Sequence, residues 1–208
     1  MKKVINCLKE HNPLIDKKLR EVSVEEGLVI AEELFQILNK RGDGIGLASN
    51  QVGIDAQVAV VNVREPIMLI NPKVIKKWDE IPYYEGCLSF PGQAIRTQRY
   101  RHIIVKSADV DCQYYFSGAG SPKGAKGSWE TSAKYAQDQR ILEAICVQHE
   151  IDHLNGITIH DREKKLEPTV SVDKIGRNQL VTIKKGDAVK VLKYKKAQPL
   201  LNQGWVME

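Results

Sequence analysis

Five residues late in the chain, His149-Glu150-Ile151-Asp152-His153, combine two imidazoles and a carboxylate at a spacing that can do chemistry. On a helix, positions four apart sit one turn apart on the same face, so both histidines can hold one metal ion. The glutamate between them can carry a proton for a water that the metal activates. The pattern proposes a metallohydrolase. It does not say which bond is cut, because that depends on the third ligand and its surroundings.

Two segments compete to supply that ligand. Downstream, the metzincin protease pattern HExxHxxGxxH asks for a histidine three residues after Gly156. The chain has Ile159 there, and His160 arrives one residue late; Met207 is the only later methionine, so no Met-turn follows. Upstream stands Cys87, within Glu85-Gly86-Cys87-Leu88-Ser89. A thiolate suits zinc or ferrous iron, and one Cys with two His leaves a tetrahedral site with an open position for water. A free cysteine is more often a small buried hydrophobe, so Cys87 alone does not decide the matter.

The elements that must position these groups can be read in outline. Ser23-Val24-Glu25-Glu26 forms a capping box, and Leu28, Ala31, Leu34, Phe35 and Leu38 recur at helical spacing until Arg41-Gly42 closes the helix. Gln57–Val63, Met68–Ile70 and Ile103–Lys106 read as strands. Residues 117–128 (SGAGSPKGAKGS) read as a flexible surface loop. The stretch from about Thr131 to Leu154 reads as one helix or two, stopped by Asn155-Gly156, with Tyr135, Leu142, Ile145, Cys146, His149 and His153 on one broad face. The order predicts an α+β fold with short mixed or antiparallel sheets around a central helix that carries HExxH.

The 208 residues are 42% hydrophobic and 27% charged, enough for one sizeable core. Nothing resembles a secretory signal or a membrane span, and the four cysteines form no CxxC pair, which together predict a cytoplasmic protein with reduced thiols. The net charge of +5 is uneven: residues 1–163 carry 21 Lys/Arg and 22 Asp/Glu, and residues 164–208 carry 10 and 4. A basic tail on a nearly neutral body suggests an anionic partner for the tail alone. Within it, Leu180–Lys185 and Ala188–Tyr194 flank Gly186-Asp187 as a β-hairpin, and a short helix broken by Pro199 follows. The domains expected are 1–162, catalytic, and 163–208, a basic extension.

Three segments together resemble the signature motifs of the peptide deformylase family. Gly44-Ile45-Gly46-Leu47-Ala48-Ser49-Asn50-Gln51 is similar to the family's GΦGLAAxQ, with Ser49 in place of alanine. Glu85-Gly86-Cys87-Leu88-Ser89 matches EGCLS, and Gln148-His149-Glu150-Ile151-Asp152-His153 matches QHExDH. The resemblance covers roughly residues 10–112 and 140–162.

That resemblance implies an enzyme that removes the N-formyl group from N-formylmethionyl peptides and releases formate. It implies Cys87, His149 and His153 as ligands of one divalent metal, usually Fe²⁺, with Zn²⁺, Ni²⁺ or Co²⁺ able to replace it. Glu150 would move the protons, while the Leu88 N–H and the Gln51 amide would meet the charge on the formyl oxygen. Ile45, Tyr83, Leu142, Ile145 and Cys146 would line the methionine slot. The peptide backbone would pair near Gly46 and along Tyr83, Glu85 and Gly86. Glu85 and Arg99 match a bracing ion pair. His11, His102 and His160 have no place in the motifs and read as solvated or hydrogen-bonded side chains.

The stretch near 113–130 is longer than the family's usual connection, which implies a missing or displaced strand. The tail's Lys184, Lys185, Lys190, Lys193, Lys195 and Lys196 form either a solvated face or a patch that contacts ribosomal RNA. A monomer is expected. The competing functions are a zinc metalloprotease and a catalytically inactive, metal-containing relative that binds ribosome or RNA.

Overall fold

In the computed structural model, residues 2–117, 128–163, 176–186, 188–201 and 205–207 are described, with the side chains of 128–138 left aside. The first helix, α1 (Val24–Arg41), starts where Ser23 Oγ accepts the Glu26 N–H at 3.2 Å. Glu25 and Glu26 lie in its first turn and Lys40 and Arg41 in its last, matching the helix dipole at both ends.

Strands β1 (Gly46–Ala48), β2 (Val58–Asn62) and β3 (Pro66–Ile70) form an antiparallel sheet in that order. A 3-10 turn, Ser49–Val52, joins the first two. Successive side chains on β2 point to opposite faces. Val58 and Val60 pack with Leu34 and Leu38 of α1, while Ala59 and Val61 pack with Ala144 and Val147 of the long helix α2 (Ser128–Leu154). This sheet is therefore covered on both sides, which is why its central strand reads as a continuous apolar run.

The second sheet orders β4 (Lys73–Cys87), β5 (Phe90–Lys106) and β6 (Gln113–Ser117), again antiparallel. The pairing of β4 with β5 is a hairpin whose register breaks between Glu85 and Cys87. Ile103 and Val105 of β5 and Phe116 of β6 enter the core beneath α2. Two sequence expectations are corrected here. The strand ending at Lys106 begins at Phe90, and a five-residue strand follows at Gln113 where a missing or displaced one was expected. The predicted loop falls, over 118–127, outside the described residues.

Helix α2 is a single helix by its backbone. It ends at Leu154, and just beyond it Gly156 has a left-handed φ of 71° and an absent Cβ that would lie 2.5 Å from the Asp16 carbonyl oxygen. The N-terminal segment packs against this end: Leu19 N–H donates to Leu154 O at 3.0 Å. The sheets are antiparallel throughout and surround α2, an α+β arrangement.

The chain divides into two units, Met1–Lys164 and Lys165–Glu208. In the second, β7 (Leu180–Lys185) and β8 (Ala188–Lys193) pair antiparallel, and a short β9 (Val206–Met207) adds to β7. Helix α3 (Tyr194–Leu201) contains Pro199, and its Tyr194 and Ala197 are buried, as is Ile183 of β7. Asp187 of the expected turn, and residues 164–175 of the expected extension, lie outside the described residues.

Candidate metal centre

Period-two alternation on β4 sends Tyr83, Glu85 and Cys87 to one face. The register with β5 breaks beside Cys87, and the Cys87 thiol meets α2, whose last two turns carry His149, Glu150 and His153. One ligand atom from each of Cys87, His149 and His153 lies within 4.8 Å of the others, and all three residues are buried. Cys87 Sγ is 3.2 Å from Nε2 of His153. Ligands of one zinc-sized ion stand about 3.6 Å apart at tetrahedral angles. The donor set, one sulfur and two imidazoles, fits a divalent ion of the iron and zinc kind.

The two histidines are biased in opposite directions. Burial opposes charge on His149, but the Cys87 thiol and the Glu85 carboxylate outweigh it and hold that ring well above the ordinary histidine value, so a metal must displace its proton to bind there. Burial alone would raise the Glu85 carboxyl, but hydrogen bonds from His149 and Arg99 outweigh it and hold the group at about 2. Its Oε2 lies 2.9 Å from Nδ1 of His149, and its two oxygens accept Arg99 Nε at 2.6 Å and Nη2 at 3.1 Å. Thr97 Oγ1 donates to the same carboxylate. Burial, reinforced by His149 and Arg99, pushes His153 well below the ordinary histidine value, so its ring is neutral and able to ligate. Burial lifts Glu150 to about 7, with His149 opposing the rise and Glu85 adding to it. Glu150 Oε2 is buried with no partner among the described residues, as is Nδ1 of His153.

A cleft of 520 Å³ opens beside this cluster. It is lined by Gln51, Cys87, Leu88, His149 and Glu150, and by Ile45, Gly46, Tyr83, Glu85, Gly86, Leu142, Ile145 and Cys146. His153 completes the metal cluster from behind. Gly46 has no room for a side chain: a Cβ there would lie 2.4 Å from Glu150 Oε1 and 2.6 Å from Cys146 Sγ. Burial raises the Cys146 thiol well above its ordinary value, so it serves as an apolar wall. Gln51 reaches both ways. Its Oε1 accepts the Ala48 N–H at 2.9 Å, and its Nε2 faces Cys87 Sγ at 3.5 Å and Ser89 Oγ at 3.3 Å. The Ser49 hydroxyl turns away from Gln51 and donates to Ala56 O.

Sequence reasoning missed the rim. Arg41 and Asp43 line the mouth as an ion pair at 2.8 Å, and their position beside the glycine motif was the one available signal. His160, the misplaced candidate ligand, lies 2.6 Å from Gln93 Oε1 and edge-on to Phe90, outside the metal cluster. His102 stacks on Trp78 at 5.1 Å and lies 3.0 Å from Ser117 Oγ.

A Cys-His-His cluster on an α+β frame, with a buried carboxylate beside it and a cleft in front, defines a metallohydrolase. The particular family follows from comparison. The sequence model described as polypeptide deformylase matches residues 4–169. Peptide deformylase of Dictyoglomus thermophilum is 36% identical over 149 residues, covering 71% of this chain and 78% of that protein. That of Hydrogenovibrio crunogenus is 33% identical over 169 residues, covering 76% and 88%. Among solved structures, peptide deformylase from Thermotoga maritima superposes with a TM-score of 0.60 at 27% identity, covering 79% of this chain and 99% of that one. The Synechococcus elongatus enzyme in complex with actinonin superposes at 0.59 and 27%, covering 79% of each. This chain belongs to the peptide deformylase family, metallohydrolases that deformylate nascent peptides.

Proposed function

We propose that the cleft accepts an N-formylmethionyl peptide and that Cys87, His149 and His153 hold Fe²⁺ as the working metal. The observation that carries this reading is the position of the buried Cys-His-His cluster, with Glu150 and Gln51, at the end of a cleft between β1 and β4. Each of these strands is the edge of its sheet. An extended peptide can therefore add as a strand near Gly46 and along Tyr83, Glu85 and Gly86.

The metal, when bound, supplies the Lewis acidity that makes water nucleophilic near neutral pH. The remaining steps fall to side chains and backbone. Glu150 takes a proton from the attacking water and returns it to the leaving amine. A C–O bond forms, the formyl C–N bond breaks, and formate leaves with a free methionine amino terminus. The Gln51 amide and the Leu88 N–H donate to the formyl oxygen as its charge grows. Ile45, Tyr83, Leu142, Ile145 and Cys146 hold the methionine side chain. A formyl carbon bears only hydrogen and fits close against Gly46, where a larger acyl group meets the walls.

The enzyme works in the cytoplasm as a monomer, and its basic tail contacts ribosomal RNA. For the tail, the supporting observation is that Lys193, Lys195 and Lys196 are exposed; no helix among the described residues is long and apolar enough to cross a membrane. The reading is tested by formate release from formyl-Met-Ala-Ser with iron-loaded protein under anaerobic conditions, alongside casein. Formate release, without casein cleavage, supports it; a silent iron-loaded protein overturns it. Metal analysis after anaerobic purification tests the choice of iron. Ribosome co-sedimentation of the full chain with Lys193, Lys195 and Lys196 changed to Glu tests the tail, since equal binding removes its role.

A further inference from the structure

Asp152 lies inside the HExxH motif yet does not line the cleft. Its carboxylate instead collects two arginines. Oδ2 accepts Nη1 of Arg99 and, at 2.9 Å, Nε of Arg162; Oδ1 accepts Nη2 of Arg162 at 2.7 Å. Arg99 grips Glu85 through its other nitrogens, and Glu85 meets Nδ1 of His149. An unbroken chain of charged side chains thus runs from Arg162 to a metal ligand. Glu85, Arg99 and Asp152 are 6%, 3% and 8% exposed, whereas the Arg162 side chain is 38% exposed. The segment after α2 delivers Arg162: Glu163 bridges to Thr97 of β5, and the Arg162 N–H donates to Ile159 O at 3.3 Å.

The charges explain what Arg162 does. Glu85, Arg99 and Asp152 carry one positive and two negative charges, and Arg162 brings the group to neutrality. Without it, the buried Asp152 has Arg99 as its one cationic partner among the described residues and competes with Glu85 for that guanidinium. A buried carboxylate short of a partner is costly enough to redirect Arg99. Glu85 then holds the His149 ring less firmly, and ring orientation governs how well an imidazole ligates.

We infer that Arg162 is a positioning residue of the metal centre, acting through Asp152, Arg99 and Glu85 on His149. The inference rests on the metal reading of the Cys87, His149 and His153 cluster. Its test uses the full chain loaded with Co²⁺, where the thiolate-to-cobalt absorption reports Cys87 ligation and excess EDTA drives release. Arg162→Met should release cobalt about 10-fold faster than wild type. Arg162→Lys, which keeps the charge but not the fork, should fall between them. Adding Arg162→Met to Asp152→Asn should change release no further than Asp152→Asn alone. Arg64→Met, which breaks the separate Arg64–Glu143 pair on the same helix, should release as wild type does.

Thermal unfolding of the metal-free variants separates positioning from bulk stability. A lower melting temperature with release within twofold of wild type overturns the inference, as do additive effects in the double variant. Should His149→Ala hold cobalt as long as wild type, the metal reading falls and the inference falls with it. Wild-type retention with an unaffected Arg162→Met sinks the inference alone.

Discussion

Nδ1 of His149 lies 2.9 Å from Oε2 of Glu85, so the ring's other nitrogen is the one left for a metal. A histidine has two candidate ligating atoms, and a carboxylate on one settles the tautomer and the ring angle together. Glu85 pays for this with burial, offset by Arg99 and Thr97 on the same carboxylate.

This contact predicts acid sensitivity. The folded-state value of Glu85, about 2, lies below its ordinary 4.5. Its contribution is therefore fully present above about pH 4.5 and is lost as pH falls toward about 2, for a total of roughly 3 kcal/mol. Metal-free Glu85→Gln should show a flatter decline of melting temperature across that window than wild type. Parallel curves would refute the linkage.

Glu150→Ala should lower formate release by at least about 10²-fold, since a positioned acid–base group contributes on that scale. Metal content should stay near one equivalent, because the carboxylate is not among the three clustered ligand groups. Loss of metal along with activity would make Glu150 a ligand instead of a proton carrier.

Gln51→Leu should reduce kcat by about 10²-fold, the scale of one lost oxyanion donor, while KM changes little. It also removes the acceptor for the Ala48 N–H, so a modest drop in melting temperature should accompany it. A variant changed only in KM would place Gln51 in substrate binding.

Gly46→Ala forces a methyl carbon to within 2.4 Å of Glu150 Oε1. Displacing that carboxylate should cost about 10²-fold in formate release. Adding Cys146→Ala clears the sulfur but not Glu150, so the double variant should remain impaired. Full recovery would show that Cys146 was the obstacle that mattered.

Ser49→Ala should cost about 1 kcal/mol with little effect on turnover, because its hydroxyl serves Ala56 O and leaves Gln51 alone. Denaturant unfolding and steady-state kinetics on the same preparation would check both halves.

Much of the frame was legible because its signals are local. The Ser23 cap, the 3.6-residue recurrence of Ala31, Leu34 and Leu38, and the Asn155-Gly156 stop each depend on a few neighbouring residues. The two-faced burial of Val58–Val61 shows in the chain as an uninterrupted apolar run. Strand β4 was not legible. Its Lys73, Lys76, Lys77, Asp79 and Glu80 are exposed, it contains Pro82, and it becomes a strand by pairing with β5.

By itself the sequence determined the donor types and their local spacing: two imidazoles one helical turn apart, a carboxylate between them, a thiol upstream and a glycine with no side chain. Only the tertiary structure decided that Cys87, more than sixty residues from His153, comes within 3.2 Å of it. It alone joined Arg162, Asp152, Arg99 and Glu85 into one chain of charge, and set His160 against Gln93. Spacing along a helix follows from fixed backbone geometry, whereas contacts between distant segments follow from how the sheets close around α2.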